Sequence, residues 1–368
     1  MRLLWIEAKD FRNYADVSLE VPSGLTAVAG ANGQGKTNLL EAMHYLCSLV
    51  SPRVNLDLPL VRRDAQSAFL RGEVEGAGGK LLIEVEVRTT GQNKVLADRS
   101  AVRRKRDLRR RVRSVFAGPD DLAIVLGDPG ERRRFMDEAV SSLWPNKDGV
   151  AASYERVLRQ RNRLLKDWAG EAEPPGLEGW DAELIAHGAA LTSLRARAVE
   201  LLRKEAADEF RRMAGDAMGS LVVEYRPSVE APSLLEGAGL EEAFAARLAT
   251  RRGDELVRRT TLVGPHRDDM NLTVQDLAAR GFASHGEAWG AAVSLRLALA
   301  RAVGHELGDD PIVLLDDPFS ALDPVRRRRL AEGLAGRGQI VISIPDIGQA
   351  PDGAEVWHVE EGRVVSGP

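Results

Sequence analysis

The chain has 368 residues and a formal net charge of -4, with 51 basic residues against 55 acidic ones. This length suffices for two domains with a sizeable core, and the near balance of charge excludes a surface that is basic throughout, so any contact with nucleic acid needs a local basic patch. The single cysteine excludes an intrachain disulfide, and there is neither a signal peptide nor an apolar run of the roughly 18 residues that cross a bilayer, so we predict a soluble cytoplasmic protein with no membrane partner.

The beginning of the chain has the pattern of a strand-rich α/β fold. Short apolar runs bounded by turn residues predict strands over residues 3–8, 17–21, 25–29, 68–74 and 81–87. The third of these strands runs directly into a glycine-rich segment, residues 30–37. Good helix formers follow over residues 38–46, which predicts a helix directly after the glycine-rich segment.

The middle of the chain changes character. Most segments of residues 130–253 have the periodicity of helices, most clearly residues 154–168 and 181–213, and one strand-like run interrupts them at 220–225. After residue 259 the α/β pattern returns, with strands predicted over residues 311–317 and 339–343.

The two strongest motifs, around Lys36 and Asp316, lie much farther apart than the about 100 to 150 residues of a typical compact domain. A single nucleotide-binding domain interrupted by an inserted helical lobe explains this separation. We therefore predict an N-terminal part of an ATPase domain over residues 1–125, an inserted and mainly helical lobe over 126–255, and the C-terminal part of the ATPase domain over 256–368.

Residues 30–37 fit the phosphate-binding pattern G-x-x-x-x-G-K-[ST], with the strand before and the helix after that this loop requires. Glycines let backbone amides converge on a phosphate, and the helix N-terminus adds partial positive charge. Lys36 is predicted to reach the β- and γ-phosphates of ATP, and the Thr37 hydroxyl to hold Mg²⁺. The alternative is a glycine-rich turn with a chance lysine. The predicted nucleotide-binding residues of this loop are Gly30, Ala31, Asn32, Gly33, Gln34, Gly35, Lys36 and Thr37.

Residues 313–317 read as an apolar strand that ends in two carboxylates, the Walker B arrangement. A continuous apolar run is typical of a buried parallel strand, and ligands bind at the carboxyl ends of such strands. Asp316 is predicted to support Mg²⁺ together with Thr37, and Asp317 to act as a general base or to position water, so that Lys36, Asp316 and Asp317 are the predicted catalytic residues. The alternative is an ordinary strand that ends in a surface acidic turn.

Two further segments resemble motifs of the ABC and SMC ATPases that contact a partner subunit. Residues 283–287, here called the signature segment, resemble the signature motif, in which a serine and a glycine (Ser284 and Gly286) at a helix N-terminus face the γ-phosphate held by another subunit. Serine followed three positions later by Glu287 also fits a capping box. Residues 318–324 resemble the D-loop, although Asp323 before a proline also fits a helix N-cap. The order of the motifs favours the signature, and both interpretations of Asp323 can hold.

Several segments together resemble the RecF family of bacterial recombination mediators, and they all lie within residues 11–323. The segments are residues 11–14, 32–42, 131–137, 154–158, 160–162, 264–269 and 314–317. The resemblance implies an α/β fold, an ABC/SMC-type P-loop ATPase head with an inserted helical lobe. It also implies a weak, switch-like ATPase that dimerises around ATP, binds duplex DNA or a junction between single strand and duplex, and acts with RecO and RecR in recombinational repair and replication to load RecA at single-strand gaps.

Two departures from related patterns concern the chemistry. Asp317 stands where transporter ATPases have glutamate. RecF-like proteins also have aspartate at this position, and slow hydrolysis suits a switch. Residues 343–346 stand where the RecF family usually has threonines and transporter ATPases have a histidine, so the sequence identifies no γ-phosphate sensor there.

Residues 99–113 contain nine basic residues and one acid, Asp107. Such a run can neutralise several phosphates and gives salt-sensitive DNA binding if it lies on one face, whereas the alternative is a solvated charged face. Residues 326–329 are interpreted as an exposed helix face, and residues 132–134 leave nucleotide, DNA and the helical lobe open as contacts. His266 lacks the spacing of a metal ligand and is interpreted as a structural hydrogen-bonding residue.

Two other classes of protein remain as alternatives. The first is another SMC-like repair ATPase, although such proteins carry coiled-coil arms with sustained heptads. The second is the ATPase subunit of a membrane transporter, which the helical insertion, the family-specific segments and the basic run all disfavour.

Overall fold

The computed structural model describes residues 1–170, 173–215, 219–231, 233–235 and 237–366. Its helices are α1 Lys36–Ser48, α2 Lys105–Arg109, α3 Leu122–Leu126, α4 Pro129–Leu143, α5 Val150–Asp167, α6 Leu177–Ala214, α7 Gly237–Arg258, α8 Ala279–Phe282, α9 His285–Leu307 and α10 Pro324–Leu334. Its strands are β1 Arg2–Phe11, β2 Tyr14–Glu20, β3 Leu25–Ala29, β4 Ser67–Gly76, β5 Gly79–Arg88, β6 Lys94–Ala97, β7 Ser100–Ala101, β8 Ser114–Ala117, β9 Leu221–Arg226, β10 Asp269–Val274, β11 Leu277–Ala278, β12 Ile312–Leu315, β13 Ile340–Ile344, β14 Glu355–Glu360 and β15 Arg363–Ser366.

The chain forms two compact units. Unit 1 consists of Met1–Leu122, Glu205–Ser220 and Ala283–Pro368, and unit 2 consists of Ala123–Lys204 and Leu221–Phe282. The sequence places boundaries after residues 125 and 255, and we keep that division as a proposal for domain organisation. The compact units differ from it because β10 and β11 pair with β9 in one sheet, which keeps residues 256–282 in unit 2.

A mostly parallel sheet forms the base of the candidate site in unit 1. Its strand order is β15-β14-β3-β13-β12-β8, with only β15 antiparallel to its neighbour. The strands β3, β12 and β13 lie where the sequence predicts them. Every residue of β12 is buried, which explains its unbroken apolar run. Because parallel strands place their carboxyl ends at the same edge, β3 and β12 bring the phosphate loop and the two carboxylates together.

An antiparallel sheet covers the other side of helix α1 within unit 1. Its order is β2-β1-β4-β5-β6-β7. Helix α1 is apolar on several faces, and its residues Leu39, Leu40 and Met43 belong to one core cluster with residues of both sheets, among them Ile83 and Leu314. A helix buried on this many sides fixes the position of its N-terminus, because neither sheet can shift without opening the core.

Unit 2 contains α4, α5, most of α6, α7 and the small sheet β11-β10-β9. Its core cluster includes Tyr154, Leu184 and Phe244. Arg161 is fully buried there, and its guanidinium donates to Asp181 at 2.7 Å and to Glu255 at 2.6 Å, so the charge is paired in the apolar interior. No helix in the described part of the chain combines the length and apolar character that a membrane crossing requires.

Candidate nucleotide-binding site

The phosphate loop connects the end of β3 to the start of α1. Gly33 and Gly35 have positive φ angles of 83° and 121°, a backbone conformation that favours glycine. The ammonium group of Lys36 donates to the carbonyl oxygens of Gly30 at 2.6 Å and Ala31 at 2.9 Å, so the cation is folded back over its own loop. Burial lowers the pKa of Lys36, while Asp316 and Asp317 oppose this effect. The loop therefore holds a cation beside two carboxylates.

Asp316 directly follows β12 and connects three parts of the site. The Thr37 hydroxyl donates to its carboxylate, with both oxygens at 2.9 Å, and the Ser343 hydroxyl donates to Oδ1 at 2.6 Å. Asp316 is 6% exposed, so its charge is held by these partners away from bulk water. Because the hydroxyl is the single donor of the Ser343 side chain and is used on Asp316, this side chain acts as a support for the carboxylate.

Asp317 has a different environment from its neighbour. Its φ angle is 50°, and its backbone N–H donates to the Ser343 hydroxyl at 2.8 Å. Within the described residues, its Oδ1 atom is buried and has no hydrogen-bond partner. Burial and the adjacent Asp316 raise the pKa of Asp317, against the lowering effects of Lys36 and Arg327. A buried carboxylate oxygen without a partner is costly unless a ligand or water meets it.

These groups line one cavity of about 300 Å³. The sequence predicts most of its lining, namely the phosphate loop, the start of α1 and the two carboxylates. It misses Arg53 and Pro119, which also line the cavity, whereas Ser343 and Pro345 come from residues 343–346, in which the sequence identifies no γ-phosphate sensor. Arg53 lies in the loop after α1, where no motif marks it.

A fully buried carboxylate holds Arg53 near the cavity. Glu41 of α1 accepts two hydrogen bonds of 2.8 Å from Arg12, one of 2.6 Å from Ser51, and a longer contact of 3.5 Å from Arg53. Arg53 also donates to Asn38 at 2.9 Å. The family-like residues 11–14 therefore contribute Arg12 to the support of the site, a role that their sequence alone does not specify.

The C-terminal hairpin, formed by β14 and β15, contacts the phosphate loop and supports it. The backbone N–H groups of Glu361 and Gly362 donate to the side chain and the carbonyl of Gln34, at 2.6 and 3.0 Å, and the Asn13 amide donates to the same carbonyl at 3.0 Å. A Cβ atom on Gly362, whose φ angle is 72°, would lie 2.7 Å from the Asn13 carbonyl oxygen. Glycine is therefore required where the hairpin approaches the loop.

The signature segment begins helix α9 and has the geometry of a capping box. Ser284 accepts from the Glu287 N–H at 3.3 Å, and its own N–H donates to the Glu287 carboxylate at 2.8 Å. Asp323 likewise caps α10 and accepts from two backbone N–H groups. Ser284, Gly286 and Asp323 do not line the cavity. A Cβ atom on Gly286 would lie 3.0 Å from the carbonyl oxygen of Ala321, which places the signature segment against the D-loop.

The basic run does not form one uniform face. Arg113 is buried, Arg109 donates to the Ser48 carbonyl at 3.0 Å, and Arg111 pairs with Asp98 at 2.9 Å. Arg103 and Arg104, by contrast, are exposed. The basic run in the sequence therefore suggests more positive charge than the fold leaves available to a ligand.

The family-like segments of unit 2 form a structural network. Arg132 is buried and donates to Asp269 at 2.6 and 3.0 Å, so its contact is made within unit 2. His266 lies 2.6 Å from the Tyr154 hydroxyl, and burial lowers its pKa to about 4. His266 is therefore neutral near pH 7, in agreement with its interpretation as a hydrogen-bonding residue. The described residues contain no group of three or more histidines, cysteines or acids arranged for a metal ion.

Fold and site together define an ABC/SMC-type P-loop ATPase head with an inserted helical lobe. The family described as RecF/RecN/SMC N terminal domain matches residues 2–349. A relative from Kineococcus radiotolerans, named DNA replication and repair protein RecF, is 39% identical over 391 aligned positions that cover 100% of this chain and 98% of the relative. The chain belongs to the RecF family, which decides between the alternatives that the sequence left open.

Two further comparisons agree with this assignment. RecF from Streptomyces avermitilis is 41% identical over 353 residues, covering 93% of each chain. A solved structure of the recombination mediator protein RecF with ATP, in the RecFOR pathway, has a TM-score of 0.88 and 27% sequence identity, and covers 100% of this chain and 97% of that one.

Proposed function

We propose that this chain binds ATP with Mg²⁺ and uses slow hydrolysis as a switch that controls its action on DNA in recombinational repair and replication. The observation that carries the proposal is the shared cavity of the phosphate loop and the two carboxylates, in which Asp317 keeps a buried oxygen without a partner. The solved RecF structure with ATP supports the same ligand.

The residues present fit a magnesium-bound nucleoside triphosphate. Backbone amides of residues 30–37 would cradle the phosphates, and Lys36 would leave the two loop carbonyls to meet the β- and γ-phosphates. Thr37 and Asp316, already 2.9 Å apart, would hold Mg²⁺, which is usually bound by one or two protein oxygens together with phosphates and water. Asp317 would accept a proton from the attacking water or orient it.

We further propose that ATP joins two copies of the chain. Ser284, Gly286 and Asp323 do not line the cavity, so we assign their contact to a nucleotide held by a second copy. A helix N-terminus that presents small residues suits an anion supplied by a second copy. Two-fold symmetry then places two ATP molecules in one isologous interface, and ATP favours dimerisation because it binds more groups there than in the monomer.

Ser284→Arg should block the ATP-driven dimer and leave ATP binding by the monomer nearly unchanged, because the added side chain fills the space of the incoming phosphate. Sedimentation of both proteins with ATP and with ADP measures this. Thr250→Arg, which adds the same charge at an exposed helical position of unit 2, is the control and should dimerise like wild type. Equal dimerisation by the Ser284 variant and wild type would discard the role of Ser284.

We propose DNA as the macromolecule on which the switch acts, with Arg103 and Arg104 among its contacts. Replacing both by alanine should lower DNA affinity and reduce the slope of log affinity against log salt by about 0.9 per lost phosphate contact on duplex DNA. Titrations of duplex, single-stranded and gapped DNA, with and without ATP, measure the effect and the preferred substrate.

The matched control for this experiment removes two exposed arginines from helix α5. Arg159 and Arg163 pair with acids one turn away, so their replacement changes the net charge by the same amount. An equal loss of slope in both double variants would assign the effect to net charge and not to the basic run.

In the cell, we propose RecO and RecR as direct partners and RecA as the protein that is loaded, in keeping with the RecFOR pathway of the solved relative.

A further inference from the structure

Helix α10 places one arginine against the signature segment. A Cβ atom on Gly286 would lie 3.3 Å from Nη1 of Arg326, so this guanidinium group lies directly beside the segment's glycine. The two residues are distant in sequence, and only the packing of the D-loop against the start of α9 brings them together. The side chain is 26% exposed, so it is partly ordered by its surroundings and still accessible.

The D-loop itself holds Arg326 in this orientation. Its Nε atom forms an ion pair with the Asp323 carboxylate at 3.0 Å. Asp323 is in turn fixed by accepting the backbone N–H groups of Val325 and Arg326, at 2.9 and 3.0 Å. Within the part of the chain that the structure describes, neither Nη group of Arg326 has a hydrogen-bond acceptor. An arginine anchored through Nε keeps the outer edge of its planar fork for another ligand.

The charge of the signature segment explains why a cation is needed beside it. The Glu287 carboxylate accepts from the Ser284 N–H, so a fixed negative charge lies at the N-terminus of α9. This carboxylate opposes the approach of a phosphate to the same helix end, since like charges repel. The guanidinium of Arg326 offsets this repulsion and offers donors that match phosphate geometry.

We propose that Arg326 acts across the dimer interface, where the guanidinium of one chain contacts the phosphates of the ATP held by Lys36 of the other chain. This inference rests on the ATP-driven dimer of the proposed function and adds to it a contact that neither the Walker motifs nor the signature serine provides. Arg326 is then a catalytic residue in trans, because it meets charge on the transferred phosphoryl group while Asp317 of the opposite chain acts on the attacking water.

Complementation between two defective chains tests the trans contact. Arg326→Ala alone should lower ATP turnover by about tenfold to a hundredfold, less than a fully inserted arginine finger, because Asp323 restrains the native side chain. Asp317→Asn alone, which should keep ATP binding and dimerisation, should lower turnover by about 10² to 10⁴. In a mixture, a mixed dimer contains one complete site, built from Lys36 and Asp317 of one chain and Arg326 of the other. Equal random mixing should restore about a quarter of the wild-type turnover, because half of the dimers are mixed and each has one complete site of two.

The controls distinguish the contact that Arg326 makes in trans from ATP-dependent dimerisation. Arg328→Ala removes an exposed arginine from the same helix and should keep wild-type turnover. If wild type forms ATP-dependent dimers but the mixture is no more active than its components, Arg326 does not act in trans and the inference is wrong, while the proposed switch stands. A wild-type chain that stays monomeric at saturating ATP would overturn both the switch and the role of Arg326.

Discussion

Lys36→Ala should weaken ATP binding by about a hundredfold or more, since truncating one member of a buried charge pair costs about 2 to 5 kcal/mol or more. Lys36 is only 8% exposed and its ammonium group lies over the loop, so it needs only a short movement to reach a phosphate. Isothermal titration with ATP measures the loss. Lys80→Ala, at an exposed ion pair of β5, is the control and should bind like wild type.

Lys36→Ala needs one further measurement, because the native Lys36 side chain also donates hydrogen bonds to two carbonyl oxygens within the loop. Thermal unfolding without nucleotide establishes that the variant is folded. A folded variant with near-normal ATP affinity would contradict the assignment of residues 30–37 as the phosphate-binding loop.

Asp317→Asn should leave ATP affinity within a few fold of wild type and slow hydrolysis by about 10² to 10⁴, the usual contribution of general acid–base catalysis. The amide preserves the shape of the side chain but cannot take up a proton. Single-turnover hydrolysis and titration with ATP separate the two effects. The dimer should accumulate in the variant, because the ATP state persists.

The pH dependence of hydrolysis provides an independent readout for Asp317. Burial and Asp316 raise the pKa of this carboxyl above that of an ordinary aspartate. A general base works only when deprotonated, so turnover should fall as the pH drops through this raised pKa, and the Asn variant should lose that limb of the profile. Asp316→Asn should weaken nucleotide binding, because Asp316 is the proposed support for Mg²⁺ and is held in place by Thr37 and Ser343. An unchanged rate of ATP hydrolysis in Asp317→Asn would mean that Asp317 takes no part in catalysis.

The parts of the site that the sequence predicts are those encoded locally. Strand β3, the phosphate loop and α1 are consecutive, and β12 ends directly at its two carboxylates, so periodicity and motif spacing suffice to place them. The capping interpretations of Ser284 and Asp323 are confirmed for the same reason, because a cap involves residues only two or three positions apart.

The parts that the sequence does not predict depend on distant partners. The sequence predicts neither β8 nor β14, and both strands gain their hydrogen bonds from the distant strands β12 and β3. The position of Arg53 depends on Glu41, and the approach of Arg326 to Gly286 depends on the packing of two helices. In the basic run, only the fold separates the buried Arg113 from the exposed Arg103, since both read as the same charge in sequence.

The order in which the ribosome makes the chain bears on the phosphate-loop strand. β3 pairs with β13 on one side and with β14 on the other, and both partners are synthesised roughly 300 residues later. At about 5 to 20 residues per second, the strand and its loop wait on the order of 15 to 60 s for their neighbours. The loop also waits for Glu361 and Gly362, which support it from behind. A nascent chain thus carries the complete phosphate-binding motif long before the strands and the hairpin that pack against it have been made, and a message truncated near its end yields a phosphate loop without the support of Glu361 and Gly362.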